Sequence, residues 1–421
     1  MRKLFIPNDT SAVAMGSNLV ANRFEELIKN KSLDIQIIRN GSRGMFWLEP
    51  LVEFESDSKR FGFQSVDLSE VESILEFICD DSFDAAFNKH PKFLGETENI
   101  EYFKKQQRLS FFRSGLGDPL CIDHYSSLEG FTGLKKALEM QPQQIVDEVK
   151  NSGLRGRGGA AFPTGIKWQT VLDTAHSKKY IVCNADEGDS GTFADRLLME
   201  SDPYQLIEGM IIAGLAVNAN QGYIYLRSEY PFAHATLNTA ISRCYAEGIL
   251  GQNVLGKKIC FELEVRLGAG AYICGEETSL LESLEGKRGL VRSKPPLPAI
   301  EGLFGCPTVV NNVLTLGAIS TILCKGSDYY KNYGTGRSRG TLPVQLSGNI
   351  KRGGLIEIPF GISLREIVED FGGGTFSGNP VKAIQVGGPL GAFVDRDKWD
   401  TPMDYEAFSE INSMIGHGGI V

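Results

Sequence analysis

A glycine-rich stretch that also carries three cations is the part of this sequence best suited to chemistry. Residues 153–168 read GLRGRGGAAFPTGIKW, with five glycines, two arginines and a lysine. Glycine lets the backbone approach a ligand closely, and bare amides with fixed cations are what a phosphate group needs. The spacing fits neither common phosphate loop, because no Gly-Lys-Ser/Thr follows and Ala161 ends the G-x-G-x-x-G match. The stretch alone is compatible with a phosphate site or with an ordered surface turn.

Three further segments carry polar side chains that a nucleotide could use. They are the acidic turn Asn184, Asp186, Glu187 and Asp189, the glycine-rich segment 268–278 with Tyr272, Gly275, Glu276 and Glu277, and the pair Asn311 and Asn312. Each has a simpler explanation, since carboxylates and asparagines often cap helices and a tyrosine is often core. Together they predict a mononucleotide site. Because no nucleophile–base pair and no metal cluster stands out, a bound cofactor is expected to carry the reaction.

Composition and charge exclude several classes of protein. The net charge of −9 weighs against a nucleic-acid partner. No run of about 18 apolar residues could span a membrane, and Asn8-Asp9 interrupts any signal-peptide pattern. The sequence therefore predicts a cytoplasmic protein without direct membrane insertion. The eight cysteines and five histidines are dispersed, which predicts reduced thiols, no disulfide framework and no metal site.

The hydrophobic pattern at the start of the chain predicts a small α/β domain over residues 1–95. Its strands are expected at 3–7, 34–39, 46–55 and 59–65, and its helices at 12–30 and 68–80. Residues 96–142 are polar and punctuated by glycine and proline, which predicts a connector. A solvated arm is favoured for this connector, and a strap packed on the next domain is the alternative.

Strands alternate with helices over residues 143–338, which predicts a largely parallel, doubly wound sheet. The strands are expected at 180–183, 222–226 and 259–266, and the helices at 143–152, 203–218, 232–247 and 277–285. Ligands of such sheets bind at the carboxyl ends of the strands, where the polar segments above would converge. Residues 339–400 predict a small β-grasp-like domain, with strands at 343–347, 354–358 and 382–387 and a helix at 363–370. Residues 401–421 are expected to begin a further segment, with Ile420-Val421 starting a strand.

Four motifs over residues 150–320 make the chain resemble a known family. Residues 156–168 are similar to the FMN loop of the NADH-oxidising flavoprotein subunit of respiratory NADH dehydrogenase. Residues 184–193, 268–285 and 294–312 resemble that family's second, third and fourth motifs in the same order. The resemblance implies an α/β protein with a Rossmann-like FMN- and NAD-binding domain and a small β-grasp domain. The soluble diaphorase branch of the family adds a thioredoxin-like N-terminal domain, which a bare respiratory subunit would lack.

The resemblance also implies roles for single residues. The FMN phosphate and the flavin edge would be held by Gly156, Arg157, Gly158, Gly159 and Lys167. The isoalloxazine or ribityl chain would contact Asn184 and Asp186, and the phosphate end would contact Asn311 and Asn312. Tyr272 and Gly275 would also lie at the cofactor. Phe162 would stack on NADH, while Glu187, Asp189, Glu276 and Glu277 would line the dinucleotide cleft and disfavour NADP; Lys167 would also contact NAD. Hydride would pass between nicotinamide and flavin, so no protein acid is needed. Asp189, Leu297 and Thr170 depart from the family's usual Glu, Phe and aromatic residue, which affects the adenine contacts.

Segments outside those motifs narrow the resemblance to the β subunit of soluble NAD-dependent formate dehydrogenases. They are residues 38–44 (IRNGSRG), 47–50 (WLEP) and 105–108 (KQQR). This branch implies an iron–sulfur small subunit of thioredoxin-like type and a molybdenum or tungsten formate dehydrogenase subunit as partners. The corresponding subunit of a respiratory NADH-quinone oxidoreductase or of a bidirectional NAD-reducing hydrogenase, and a redox-inactive nucleotide-binding scaffold, are the alternatives.

The family's iron–sulfur clusters are not expected in this chain. Related thioredoxin-like domains hold a two-iron cluster on four cysteines, whereas residues 1–95 contain only Cys79. Full-length members continue into a helical domain that holds a four-iron cluster, and its ligands do not occur here. A truncated form of a longer protein is therefore expected, in preference to a natural loss of that domain.

Overall fold

A computed structural model describes residues 2–79 and 90–421. Its strands are Arg2–Phe5 (β1), Ile35–Ile38 (β2), Val52–Ser56 (β3), Lys59–Phe63 (β4), Phe93–Glu96 (β5), Tyr180–Ala185 (β6), Gln221–Leu226 (β7), Glu262–Leu267 (β8), Thr308–Asn312 (β9), Gly334–Thr335 (β10), Ser338–Arg339 (β11), Thr341–Leu346 (β12), Gly354–Pro359 (β13), Ile384–Val386 (β14), Ala392–Val394 (β15) and Gly419–Ile420 (β16). Its α-helices are Thr10–Ala14 (α1), Ser17–Asn30 (α2), Val71–Cys79 (α3), Glu101–Lys104 (α4), Ile122–Ser127 (α5), Thr132–Ala137 (α6), Pro142–Asn151 (α7), Thr164–Asp173 (α8), Ala194–Ser201 (α9), Pro203–Val217 (α10), Pro231–Ala246 (α11), Glu277–Leu284 (α12), Val313–Lys325 (α13), Ser327–Lys331 (α14), Leu364–Glu366 (α15) and Tyr405–Glu410 (α16). Within this part of the chain, every helix falls short of the length and apolar character that crossing a bilayer requires.

The N-terminal domain is the α/β unit that the sequence predicts. Its sheet has the order β2-β1-β3-β4-β5, with β1 parallel to β2 and the remaining pairs antiparallel. The helix expected over 12–30 is two helices, because Gly16 adopts a φ of 98° between them. The strand expected over 46–55 begins only at Val52, since residues 46–48 form a 3-10 turn and Pro50 lacks the N–H of a sheet ladder. Residue 80, the expected end of α3, lies outside the described residues.

The connector is packed on its neighbours, so the expectation of a solvated arm is wrong. The core of the central domain, residues 143–338, also contains Leu109, Phe111 and Leu134 of the connector. The Arg113 guanidinium is buried and donates to Asp202 Oδ2 at 2.7 Å and to Gln205 Oε1 at 2.7 Å. Arg113 can be buried because the carboxylate of Asp202 neutralises it and the amide of Gln205 accepts a hydrogen bond from it.

The central domain confirms the predicted parallel sheet and explains where its polar segments meet. The strand order is β8-β7-β6-β9, and all three pairs are parallel. The chain begins this sheet at β6, builds outward to β7 and β8, and returns to place β9 on the other side of β6. Adjacent strands that leave in opposite directions open a crevice at their carboxyl ends. The register sets Asn184 of β6 beside Asn312 of β9 at this crevice.

The small domain has a five-stranded mixed sheet with the order β13-β12-β16-β14-β15. Its helix, expected over 363–370, begins at Leu364 and ends in a π-helical turn at Phe371. The end of the chain does form the expected strand, but β16 completes this sheet and does not open a separate segment. It pairs in parallel with β12 and antiparallel with β14. This pairing brings His417, just before β16, against the central domain.

Candidate functional site

Two adjoining cavities lie at the carboxyl edge of the central sheet, where the predicted segments converge. The first has a volume of about 440 Å³ and the second about 500 Å³. Both are lined by Gly158, Ala160, Asn184, Gly275, Glu276 and Asn312. Gly156, Phe162, Lys167, Glu277 and Asn311 line only the first, whereas Gly159, Asp186, Glu187, Asp189 and Tyr272 line only the second. The structure therefore brings every predicted site residue except Arg157 to one cleft.

The glycine loop, residues 153–163, folds back on itself so that its backbone faces the cleft. Gly156 N donates to Phe162 O at 2.9 Å and closes the loop. Gly159 has a φ of 108°, which strongly favours glycine. A Cβ on Gly158 would lie 3.1 Å from Asn312 Cβ, so a side chain there would crowd the junction of the two cavities. Phe162 stands half exposed at the rim.

Arg157 does not face the cleft, which corrects its expected role at the phosphate. Its guanidinium is buried and donates to Arg155 O at 2.7 Å, Tyr330 OH at 2.9 Å and Arg339 O at 2.7 Å. It also stacks 4.8 Å from the centre of the Phe360 ring. A guanidinium with three protein acceptors and an aromatic face has little capacity left for a ligand. Its place in the molecule is the junction between the central and small domains.

A carboxylate between two lysines forms one wall of the first cavity. Lys167 Nζ lies 3.4 Å from Glu277 Oε2, and Lys294 Nζ lies 2.9 Å from Glu277 Oε1. Burial raises the pKa of Glu277, but the two lysines outweigh it and hold that pKa below its ordinary range. Glu276 instead accepts from Thr278 N at 2.8 Å and Ser279 N at 2.9 Å, so it serves mainly as the cap of α12.

Lys294 is a site residue that was not among the predicted ones. Its signal in the sequence was the adjacent pair Glu276-Glu277, because two neighbouring carboxylates at a cleft require a nearby cation. The lysine also donates to Glu276 Oε1 at 3.0 Å, so it bridges both carboxylates. Thr315 accepts from Arg157 N at 2.9 Å on the first turn of α13 and is a second lining residue outside the predicted set.

The acidic turn after β6 holds a carboxylate with unused hydrogen-bonding capacity. Asn184 Nδ2 donates to Gly275 O at 2.8 Å, and its Oδ1 accepts from Asp186 N at 3.1 Å, which fixes the turn. Asp186 Oδ2 is buried and has no hydrogen-bond partner among residues 2–79 and 90–421. Burial raises the pKa of Asp186 to about 6. A buried acceptor that lacks a donor is a position at which a ligand donor would be favourable.

The other two carboxylates of the turn are engaged with the protein. Glu187 accepts from Asp195 N at 3.0 Å and Arg196 N at 3.1 Å, so it caps α9 more than it faces the cleft. Asp189 Oδ1 accepts from the Tyr272 hydroxyl at 2.6 Å. This hydrogen bond raises the pKa of Tyr272 to about 12 and fixes its ring across the second cavity.

The two asparagines at the end of β9 have different roles, one in the protein interior and one at the cleft. Asn311 Oδ1 accepts from Trp168 Nε1 at 2.8 Å in the interior. Asn312 Oδ1 accepts from Leu314 N at 2.9 Å and caps α13, while its Nδ2 donates to Asp195 at 2.7 Å. Asn311 is thus a packing residue first, whereas Asn312 places the N-terminus of a 13-residue helix at the cleft. The positive end of that helix dipole attracts an anion.

The comparisons with known proteins agree with this geometry. Residues 149–321 match the Nuo51 FMN-binding domain. The chain is 48% identical over 318 residues to the HndC subunit of the NADP-reducing hydrogenase of Solidesulfovibrio fructosivorans, across 76% of this chain and 65% of that protein. It is 46% identical over 305 residues to an NADH-quinone oxidoreductase subunit of Rhizobium meliloti, across 72% of each protein. It is also 46% identical over 300 residues to the corresponding subunit of Escherichia coli, across 71% of this chain and 67% of that protein.

A solved structure of NAD⁺-reducing [NiFe]-hydrogenase in the air-oxidized state is similar over the whole chain. The TM-score is 0.62 at 27% sequence identity, with 100% of this chain and 68% of that chain covered. The similarity supports the mixed α/β architecture, including the N-terminal domain that lies outside the FMN-binding match. The chain spans about two thirds of the length of the HndC relative.

Proposed function

Since the chain belongs to the family of these NADH-quinone oxidoreductase subunits, we propose that it is an FMN-containing NADH:acceptor oxidoreductase subunit. Such a diaphorase passes electrons between NAD(H) and the iron–sulfur clusters of a multi-subunit dehydrogenase. The observation that carries the proposal is the pair of adjoining cavities with shared walls. A flavin and a dinucleotide bound there would lie in contact, which direct hydride transfer requires.

The residues at the cavity junction fit a flavin mononucleotide. The N-terminus of α13 and the backbone around Gly158 offer amide dipoles to a phosphate, and Lys167 adds a cation in the same cavity. The unpartnered Asp186 Oδ2 would accept from a flavin N–H or a ribityl hydroxyl. Gly158 keeps the junction open, because a side chain there would meet Asn312.

The protein groups bind and orient, while bound FMN supplies the hydride and single-electron chemistry. Phe162 offers an aromatic face at the rim for the adenine or nicotinamide ring. Glu277 offers a carboxylate to ribose hydroxyls and opposes the 2′-phosphate of NADP. Glu277 is paired with two lysines, Asp189 accepts from Tyr272, and Asp186 is left to accept from the cofactor. This arrangement suits a step that needs no protein acid.

The more specific proposal is that the dehydrogenase is an NAD-dependent formate dehydrogenase in the cytoplasm. It is supported by residues 38–44, which resemble that branch and lie at the junction of three domains. Arg43 is buried there and donates to Glu53 Oε1 at 3.0 Å and Glu98 Oε1 at 2.6 Å. Gly44 lies against Leu355 of the small domain. An iron–sulfur small subunit and a molybdenum or tungsten catalytic subunit would be the partners.

A diaphorase subunit of an NAD(P)-reducing hydrogenase is the second candidate. The relative HndC and the similarity to a hydrogenase structure over the full chain favour it. The two candidates share the flavin site and differ only in the catalytic partner. They are separated by co-expressing this chain with each kind of catalytic subunit and measuring formate-dependent and hydrogen-dependent NAD⁺ reduction. Formate-dependent reduction supports the first candidate, and hydrogen-dependent reduction refutes it.

The flavin assignment itself is tested on the isolated chain. The protein is reconstituted with FMN, and anaerobic NADH is added while the visible flavin absorbance is followed. Stoichiometric FMN binding and loss of that absorbance are expected. Gly158→Val, which fills the cavity junction, should abolish FMN binding while the circular dichroism spectrum stays unchanged. A wild-type protein that does not bind FMN, or whose bound flavin does not react with NADH, would contradict the proposal.

A further inference from the structure

His417 lies where three separate segments of the cleft meet, although nothing in the sequence singled it out. Its Nδ1 is 2.7 Å from Arg157 O in the glycine loop. Its Nε2 is 3.3 Å from Glu187 Oε1 in the acidic turn and 3.2 Å from Asp195 Oδ1 at the start of α9. The ring is buried and lines the second cavity. The residue comes from the end of the chain, 260 positions after Arg157.

The partners of the ring determine its protonation state. A carbonyl oxygen can only accept, so Nδ1 must carry a proton to face Arg157 O. Nε2 lies within ion-pair distance of two carboxylates, although neither contact has hydrogen-bond geometry among the described residues, and their negative charge favours a proton on Nε2 as well. Burial lowers the pKa of His417, but Asp195 and Glu187 outweigh it and hold that pKa well above its ordinary range. The ring is therefore an imidazolium at neutral pH.

Asp195 extends this contact to the fourth segment of the site. One of its oxygens faces His417, and the other accepts from Asn312 Nδ2 at 2.7 Å. Asn312 is the cap of α13, whose N-terminus lies at the cleft. Glu187, which faces the same ring nitrogen, accepts from Asp195 N and Arg196 N in the first turn of α9. One imidazolium thus links the glycine loop, the acidic turn and the cap of α13.

We propose that His417 is a positioning residue of the flavin site, holding these segments in register and placing a positive charge beside the second cavity. The proposal rests on the proposed FMN function. Reduction adds negative charge to a flavin, so a fixed positive charge nearby favours the reduced form. Without His417, Glu187 and Asp195 would keep their neutral hydrogen-bond donors but lose the cation beside both of them, which would loosen the turn and oppose reduction. Without the Asp195 charge, the imidazolium would be less compensated and reduction would be favoured.

The test measures the FMN dissociation constant and the FMN midpoint potential in matched variants of the chain. His417→Gln is expected to weaken FMN binding about tenfold and to lower the potential by about 30 mV, the equivalent of a tenfold change for a two-electron couple. Asp195→Asn is expected to raise the potential. His176→Gln, an exposed histidine outside both cavities, should change neither quantity. General disruption of the fold would not produce shifts of opposite sign in the two site variants.

Shifts of the same sign, or no shift in either site variant, would overturn the proposal. If His417→Gln does not fold, His417→Lys replaces it, because it retains the positive charge. A potential in His417→Lys close to that of the wild type, together with a raised potential in Asp195→Asn, supports the proposal, and any other pair of results refutes it. Failure of the wild type to bind FMN would refute the proposed function instead, so the two failures are distinguishable.

Discussion

Arg157 offers the sharpest test of the glycine loop, because the family resemblance places its side chain at the FMN phosphate whereas the structure places it at the junction of two domains. If its guanidinium bound a phosphate, Arg157→Lys would weaken FMN binding and leave the fold unaffected. The structure places the guanidinium between the central and small domains, with Tyr330 OH and Arg339 O as acceptors. We therefore expect Arg157→Lys to destabilise the protein and to leave FMN affinity nearly unchanged.

The size of the effect follows from the contacts. The guanidinium makes three hydrogen bonds from a rigid fork, and a single ammonium on a flexible stem cannot reproduce that geometry. Leaving one or two buried acceptors unpaired costs about 1–3 kcal/mol each, and the contact with the Phe360 ring is worth about 0.5–2 kcal/mol. The free energy of unfolding should fall by about 2–4 kcal/mol.

The assay is urea denaturation of the protein without FMN, combined with FMN titration of the folded fraction. Lys167→Met is the matched comparison, since Lys167 lies in the first turn of α8, directly after the loop, and faces the first cavity. Its ion pair with Glu277 is partly exposed, so its loss should change stability by less than about 1 kcal/mol. FMN affinity should fall about tenfold or more in Lys167→Met, and by less than about threefold in Arg157→Lys.

A reversed pattern would refute the reasoning. If Arg157→Lys bound FMN more than about tenfold more weakly with an unchanged urea midpoint, its guanidinium would belong to the phosphate site after all. Equal losses of stability and affinity in both variants would show that the loop acts as one unit.

Three further predictions concern the cleft and the domain junction. Glu277→Gln removes the negative charge between two lysines. The ratio of kcat/KM for NADPH to kcat/KM for NADH should rise about fivefold, because one charge is worth about 1 kcal/mol in partly solvated surroundings. An unchanged ratio would show that Glu277 does not contact the nucleotide. Burial raises the pKa of Asp186 from 3.8 to about 6, so its ionisation destabilises the fold increasingly between these two pH values and fully above pH 6. Asp186→Asn without FMN should therefore melt at a higher temperature than the wild type above pH 6 and at the same temperature below pH 3.8. Gly41→Ala would place a Cβ 2.2 Å from Ser201 Cβ. The free energy of unfolding should therefore fall by about 1–3 kcal/mol, or limited proteolysis should release the N-terminal domain. A variant that resists both would contradict the packing of Gly41 against Ser201.

Local patterns were sufficient for most of the architecture. Alternating strands and helices predicted the central parallel sheet, and the polar residues after each strand predicted where a ligand would bind, because parallel strands end at the same edge. Helix α10, expected over 203–218, is found over Pro203–Val217 and is buried along nearly its whole length. The caps provided by Glu276 and Asn312 were also among the explanations that the sequence allowed.

Fold class, the convergence of the polar segments and a mononucleotide site could be predicted from the order of residues along the chain, and the resemblance of four motifs to a known family indicated FMN. Which charged side chains face the ligand, and which hold the fold together, depended on long-range packing. Arg157 finds its acceptors 173 and 182 residues away, the connector arginine Arg113 meets Asp202 89 positions later, and His417 joins loops that precede it by more than 200 positions. A charged side chain is buried only where a partner neutralises it. That partner comes from a distant part of the chain, so no local pattern can identify it.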